Sequence, residues 1–215
     1  MSLVKIDSYT PFPVSGPDFS DDFSSDNMTD VGSGVGVSGG KLQFISAVGG
    51  DNRAWESMGI TLNDTAFVAR CGYLMASTTT VNGVPTYPLL FSDSSSDPIS
   101  VDSAIYMNDT SRNSYCTSYK GASSGPLSTP AISITHDTQY YVELIRSSST
   151  VLDLGIFSDS GFSTDIIGSP ETVAISSSTI DLDTFQAAVK SNQAGGNIDA
   201  EVTDVNVWNG VTAPP

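Results

Sequence analysis

Along the chain, hydrophobic and polar residues alternate in short runs separated by clusters of Gly, Asn, Asp and Ser, the pattern of strands joined by turns. Lys41 to Ser46 sets Leu42 and Phe44 against Gln43 and Ile45. From Ala66 to Ala76, Phe67, Ala69, Cys71, Tyr73 and Met75 oppose Val68, Arg70, Gly72 and Leu74. Gln139 to Arg146 puts Tyr141, Glu143 and Ile145 on one face and Tyr140, Val142 and Leu144 on the other; both faces are partly apolar, which suits a strand central to a sheet. Val151 to Ser158 follows the Ser147-Ser148-Ser149 turn and completes a hairpin. Further strands are expected at Pro88 to Ser92, Ser103 to Met107 and Ser114 to Tyr119. Phe185 to Lys190 is too short and too turn-flanked for a helix and is read as a strand. In Ala200 to Trp208, alternation groups Val202 with Asp204 and Asn206, and Thr203 with Val205 and Val207. The Ser-rich runs Ser92 to Ser100 and Ser123 to Ser128 read as loops, as does the polar stretch Asn52 to Glu56.

The picture is of an all-β chain, and its organisation follows. Pro11, Pro13 and Pro17 cannot donate a regular ladder, so residues 1–17 form an extended arm, 18–210 one sandwich domain and 211–215 a tail. No apolar stretch approaches the ~20 residues of a membrane helix, so no membrane insertion is expected. Met1 to Val14 carries one Lys and no apolar core, so no secretory signal is visible.

Composition narrows the partners. The 215 residues carry a formal net charge of −16, with eight Lys and Arg in all. So few cations cannot neutralise many phosphates, which excludes nucleic-acid binding through a basic stripe, and an anionic membrane would repel the chain. Glutamate occurs only at Glu56, Glu143, Glu171 and Glu201; the remaining acids are Asp, the turn-forming carboxylate. Cys71 and Cys116 lie in separate strand-like segments, able to pair or to sit as two small buried thiols.

Three stretches taken together resemble a known family. Asp21-Asp22-Phe23-Ser24-Ser25-Asp26 with Gly40-Lys41-Leu42-Gln43-Phe44, then Thr138 to Arg146 with Leu154 to Ser163, and finally Ile198 to Gly210, resemble the first, the back-sheet and the closing strands of concanavalin A-like lectin/glucanase domains, including laminin-G-like ones. The match covers most of residues 19–210 and rests on order and spacing. Stand-alone microbial and viral versions look most similar. The resemblance implies a two-sheet antiparallel jelly-roll sandwich with adjacent terminal strands and a concave, saccharide-holding face.

Catalysis is not expected. The Glu-x-Asp-x-x-Glu strand of the fold's glucanases is absent; Asp181-Leu182-Asp183, Asp199-Ala200-Glu201 and Glu201-Val202-Thr203-Asp204 supply carboxylate pairs without a third group. The single His136 lacks the Gln-x-His setting of lyases on this fold, and no Gly-x-Ser-x-Gly nucleophile elbow precedes a helix, as a serine hydrolase would need. The resemblance also implies a structural Ca²⁺ between first and last strands, which points to Asp22 and Asp204 with backbone oxygen from the Gly39-Gly40 turn.

Sugar binding needs an aromatic platform beside groups that bond hydroxyls. Trp55, Tyr73, Tyr87, Tyr106, Tyr115 and Tyr119 are aromatic candidates. The expected ligand set is Trp55 and Arg53 with Tyr106, Asn108, Asp109 and Arg112, the last three in a loop. The expectation is a non-catalytic domain on an extracellular or virion surface that binds a glycan or cell-surface polysaccharide, with self-association through the arm. A structural brick of a virion or appendage is the alternative, and a glycoside-active enzyme without the usual motif the third reading.

Overall fold

The computed structural model describes residues 16–47, 50–76, 86–96, 103–111, 114–121, 124–166, 168–191 and 198–213. The arm expected at 1–17 lies almost wholly outside the described residues, as does Arg112. Among the described residues every regular element is a strand: β1 (Phe19–Asp21), β2 (Thr29–Val31), β3 (Val35–Val37), β4 (Leu42–Ala47), β5 (Gly50–Ser57), β6 (Phe67–Met75), β7 (Thr86–Ser92), β8 (Ala104–Ser111), β9 (Ser114–Gly121), β10 (Ser124–Ser128), β11 (Ile132–Ser133), β12 (Gln139–Ser148), β13 (Val151–Phe157), β14 (Glu171–Ala174), β15 (Thr184–Ser191) and β16 (Ile198–Asn209).

They form two antiparallel sheets packed as a jelly-roll sandwich. Sheet 1 runs β14-β13-β12-β6-β16-β4-β3, with β1 also on β16; sheet 2 runs β10-β9-β8-β7-β15-β5-β2, with β11 also on β9. The terminal strands are adjacent, Phe19 opposite Val207 and Asp21 opposite Val205. The β12–β13 hairpin pairs Tyr141 with Phe157 and Leu144 with Leu154.

The core is what the alternation puts inward. Phe67, Ala69, Cys71, Tyr73 and Met75 of β6, Tyr140, Val142 and Leu144 of β12 and Leu152, Leu154 and Ile156 of β13 face Leu89, Phe91, Ile105, Met107 and Phe185 of sheet 2. Phe91 joins the layers, with Phe67 edge-on at 5.9 Å and Phe185 at 6.1 Å. Each such side chain contributes about 1.5–3 kcal/mol on burial. Cys71 is a free thiol in this core, and burial pushes it up to about 12, so it is an inert apolar group.

Four expectations are corrected. Asn52 to Glu56 is strand β5, not a loop, with Trp55 opposite Gln186 and Thr29. Its period is hidden because a polar side chain points inward: buried Asn52 accepts from the backbone N–H groups of Ser33 and Gly34, capping the β2–β3 turn. Asn108 and Asp109 lie in β8, paired with Cys116 and Thr86, and Ser124–Ser128 is strand β10. The alternation along β16 breaks at a bulge. Thr203 pairs Gly72 and Asn206 pairs Arg70, so two residues oppose Cys71, and Asp204 takes φ 51°. Val202, Val205 and Val207 therefore all point inward, and Asp204, Asn206 and Trp208 turn outward together.

Candidate functional site

Tyr106 of the expected set lies on sheet 2, in a packed patch of its outer face. Tyr106 packs edge-on against Tyr87 at 4.9 Å, and with Leu90, Ala104 and Ala188 they form a small buried cluster that leaves Tyr106 8% exposed. Tyr73 is wholly buried in the main core. Gln186 donates to Ser92 Oγ at 2.7 Å and to the Ser94 carbonyl at 2.6 Å, tying the Ser-rich bend over this face. Arg53 and Trp55 are half-buried on β5. Of the expected set, Arg53 and Trp55 thus stand on β5 and Tyr106 on β8, while Arg112 and the side chains of Asn108 and Asp109 lie outside the described residues.

A hollow of about 340 Å³ lies instead on the outer face of sheet 1, lined by Arg70, Tyr141, Phe162, Asp204, Asn206 and Trp208. Strands β12, β6 and β16 are neighbours, so Tyr141, Arg70 and the outward residues of β16 stand side by side. The floor is low because Gly72 carries no side chain; a Cβ there would meet Thr203 Oγ1 at 2.4 Å. Phe162 comes from the loop after β13. Asp159 holds that loop: its Oδ1 accepts from Gly161 N and Ser163 Oγ at 3.0 Å and its Oδ2 from Thr164 N at 2.7 Å. Burial pulls the Asp159 carboxyl upward, but hydrogen bonds from Thr164 and Ser163 outweigh it and hold it below the usual range. The turn sets Phe162 at φ 52°, rare for an aromatic residue, and lays its ring against Tyr141 at 6.0 Å and Phe157 at 5.5 Å.

Arg70 is already engaged. Its Nε donates to Glu143 Oε2 at 2.7 Å, and its guanidinium stacks on Phe162 at 4.0 Å and approaches Trp208 at 5.9 Å. The indole Nε1 of Trp208 is buried without an acceptor. Asn206 Nδ2 donates to the Asp204 carbonyl at 2.9 Å. The hollow therefore offers aromatic rings, a carboxylate and an amide oxygen.

Asp204 and Asn206 also line a second hollow of about 340 Å³ with Ser20, Asp21, Asp22, Asn27 and Glu56. The structure thus places Asp22 and Asp204 on one hollow, but the Gly39-Gly40 turn is not among the lining residues; it closes β3 onto β4 through the Ser38–Lys41 hydrogen bonds. Among the described residues no three acidic or imidazole groups converge as metal ligands. Asp22 Oδ1 accepts from Ser24 N at 2.9 Å, and hydrogen bonds from Ser24 hold its carboxyl below the usual range. Burial first, then a hydrogen bond with Asp21 and the Asp21 charge, push Glu56 up to about 8, so at neutral pH it keeps its proton and donates to Asp21.

A pH effect follows. Folding holds a proton on Glu56 at pH values where the unfolded chain has released it, so stability is full below about 4.5 and falls as pH rises through about 8. Glu56→Gln removes this loss. Because Glu56 is half-exposed, screening leaves a gain on the order of 1 kcal/mol at alkaline pH and none in mild acid. Urea denaturation of both proteins across this range measures it; parallel pH profiles would refute the shared proton.

No protein-family model matches the chain, and no curated protein matches it. Solved structures do. The botulinum neurotoxin serotype D binding domain is similar over 90% of this chain and 48% of its own, with a TM-score of 0.60 and 11% identity. The CBM2 module of the evolved Dit of Lactobacillus casei BL23 phage J-1 is similar over 89% of this chain and 94% of its own, at 0.55 and 13%. A family 7 alginate lyase, A1-II′, is similar over 82% of this chain and 84% of its own, at 0.53 and 9%. This chain spans about half the length of the toxin binding domains it matches. At such identities the likeness is one of fold: all are β-sandwich domains.

Arg70, Tyr141, Phe162, Asn206 and Trp208 were absent from the expected ligand set. The available signal was Phe162, a lone large apolar residue in the polar run Ser158 to Asp165.

Proposed function

We propose that the chain is a non-catalytic glycan-binding domain displayed on an extracellular or virion surface, with the hollow over β6, β12 and β16 as its binding site. The observation that carries the reading is the meeting there of three part-exposed rings, Tyr141, Phe162 and Trp208, with Asp204 and Asn206. Rings cover the apolar face of a pyranose while the polar groups take its hydroxyls, and the volume suits a small ligand site, ~300–1,000 Å³. A toxin binding domain and a CBM2 module among the similar folds agree with a binding role. Binding routes nothing through calcium, and no lining residue is given a catalytic part; His136 does not line the hollow.

A glycan array should give positives that Trp208→Ala weakens by about 2 kcal/mol, roughly thirtyfold. Phe162→Ala, at a loop tip outside the core, should weaken the same glycans and serves if the Trp208 variant folds poorly. Affinities unchanged in both variants would move the site elsewhere.

The packed Tyr87–Tyr106 cluster on sheet 2 favours a second reading, a structural brick in a particle or appendage whose arm grips a neighbour. A flat array, with assembly lost on deleting residues 1–17, would select it.

A further inference from the structure

We infer that this hollow, given the glycan-binding reading on which the inference rests, selects amino sugars bearing a free ammonium over their neutral and carboxylated counterparts. The argument is one of charge placement. Asp204 stands exposed at the bulge, lines the aromatic hollow and forms no ion pair among the described residues. Among the described residues Arg70 is the only basic one lining the hollow, and its charge is met by Glu143 and spread over the faces of Phe162 and Trp208. An incoming carboxylate therefore finds no uncommitted cation to meet it. It would also face Asp204 and, in the hollow that shares Asp204 and Asn206, Asp21 and Asp22. An ammonium finds the reverse: a carboxylate without a partner, the amide oxygen of Asn206 and ring faces that attract cations. The hydroxyls and apolar ring face of the same sugar use Trp208 and Tyr141, which separates this ligand from a bare amine.

The three sugars to compare are trimers of glucosamine, N-acetylglucosamine and mannuronate, titrated by calorimetry in mild acid, where the amine is charged. The glucosamine trimer should bind at least about tenfold tighter than the acetylated one, the value of a charge-assisted hydrogen bond. Mannuronate should bind most weakly. Asp204→Asn should abolish the glucosamine advantage, bringing the glucosamine and acetylated trimers to the same affinity. Equal affinity for the glucosamine and acetylated trimers, or preference for mannuronate, overturns the inference while leaving glycan binding intact. A glucosamine preference that survives both Asp204→Asn and Trp208→Ala reports diffuse attraction to the −16 chain and also overturns it. Failure of every glycan on an array defeats the glycan-binding reading itself.

Discussion

Arg146→Ala should destabilise the sandwich by about 3–5 kcal/mol, a large share of a domain's stability. Arg146 is the largest of the fully buried side chains and points inward from β12 beside Tyr140, Val142 and Leu144. Its guanidinium donates from Nη1 to the Thr179 carbonyl at 2.7 Å, from Nη2 to the Ser149 carbonyl at 3.2 Å and from Nε to the Ser148 carbonyl at 3.3 Å. It therefore fastens the β12–β13 turn to the segment leading into β15. Alanine leaves those carbonyls without this donor and opens a void, and both effects add. Arg146→Met fills most of the void but supplies no donor, so it should fall between wild type and alanine. Urea denaturation ranks the three. An alanine variant within about 1 kcal/mol of wild type would show that the guanidinium is dispensable.

Gly72→Val should destabilise by about 1–3 kcal/mol, through crowding instead of loss. Gly72 sits between Tyr141 of β12 and Thr203 of β16, and a Cβ would lie 2.4 Å from Thr203 Oγ1 and 3.0 Å from Gln139 Nε2. Gln139 can swing away, whereas Thr203 is β-branched and stiff. Thr203→Ala removes the obstructing oxygen and should recover some of the loss, so the double variant will be less damaged than the sum of the singles. Strict additivity would place the strain elsewhere. The same side chain would fill the floor of the aromatic hollow, so sugar affinity should fall even where stability is recovered.

The sandwich was legible because its inward residues keep a period of two. Phe67 to Met75 and Tyr140 to Leu144 state their burial residue by residue, and the hairpin of β12 and β13 shows in its Ser turn. Where inward positions are polar or small, as at Asn52 and Ala54, the period is silent and a strand reads as a loop. The hollow was less legible for a different reason. Arg70, Tyr141 and Asn206 are far apart in the chain, and only the pairing of β6 with both β12 and β16 makes them neighbours. Periodicity supplies faces, not partners. The bulge hid more, because strict alternation assigns Asp204 to the face of Val202, and a single left-handed residue reverses that assignment for everything after it.

The clasp between the two ends of the domain has a mechanical consequence. Asp18 N donates to the Val207 carbonyl at 2.8 Å and Asn209 N to Asp18 Oδ2 at 2.7 Å, so the chain enters beside the point where it leaves. Tension between segments before residue 18 and after residue 210 loads β1 against β16 in an unzipping direction, where rungs break singly and in sequence. The three rungs of β1 yield first and carry away Ser20, Asp21 and Asp22, dismantling the acidic hollow at low force. The aromatic hollow draws its side chains from β6, β12, β16 and the Phe162 loop, so peeling β1 alone removes none of them. A domain tethered at both ends would keep its grip on a ligand through the first yield.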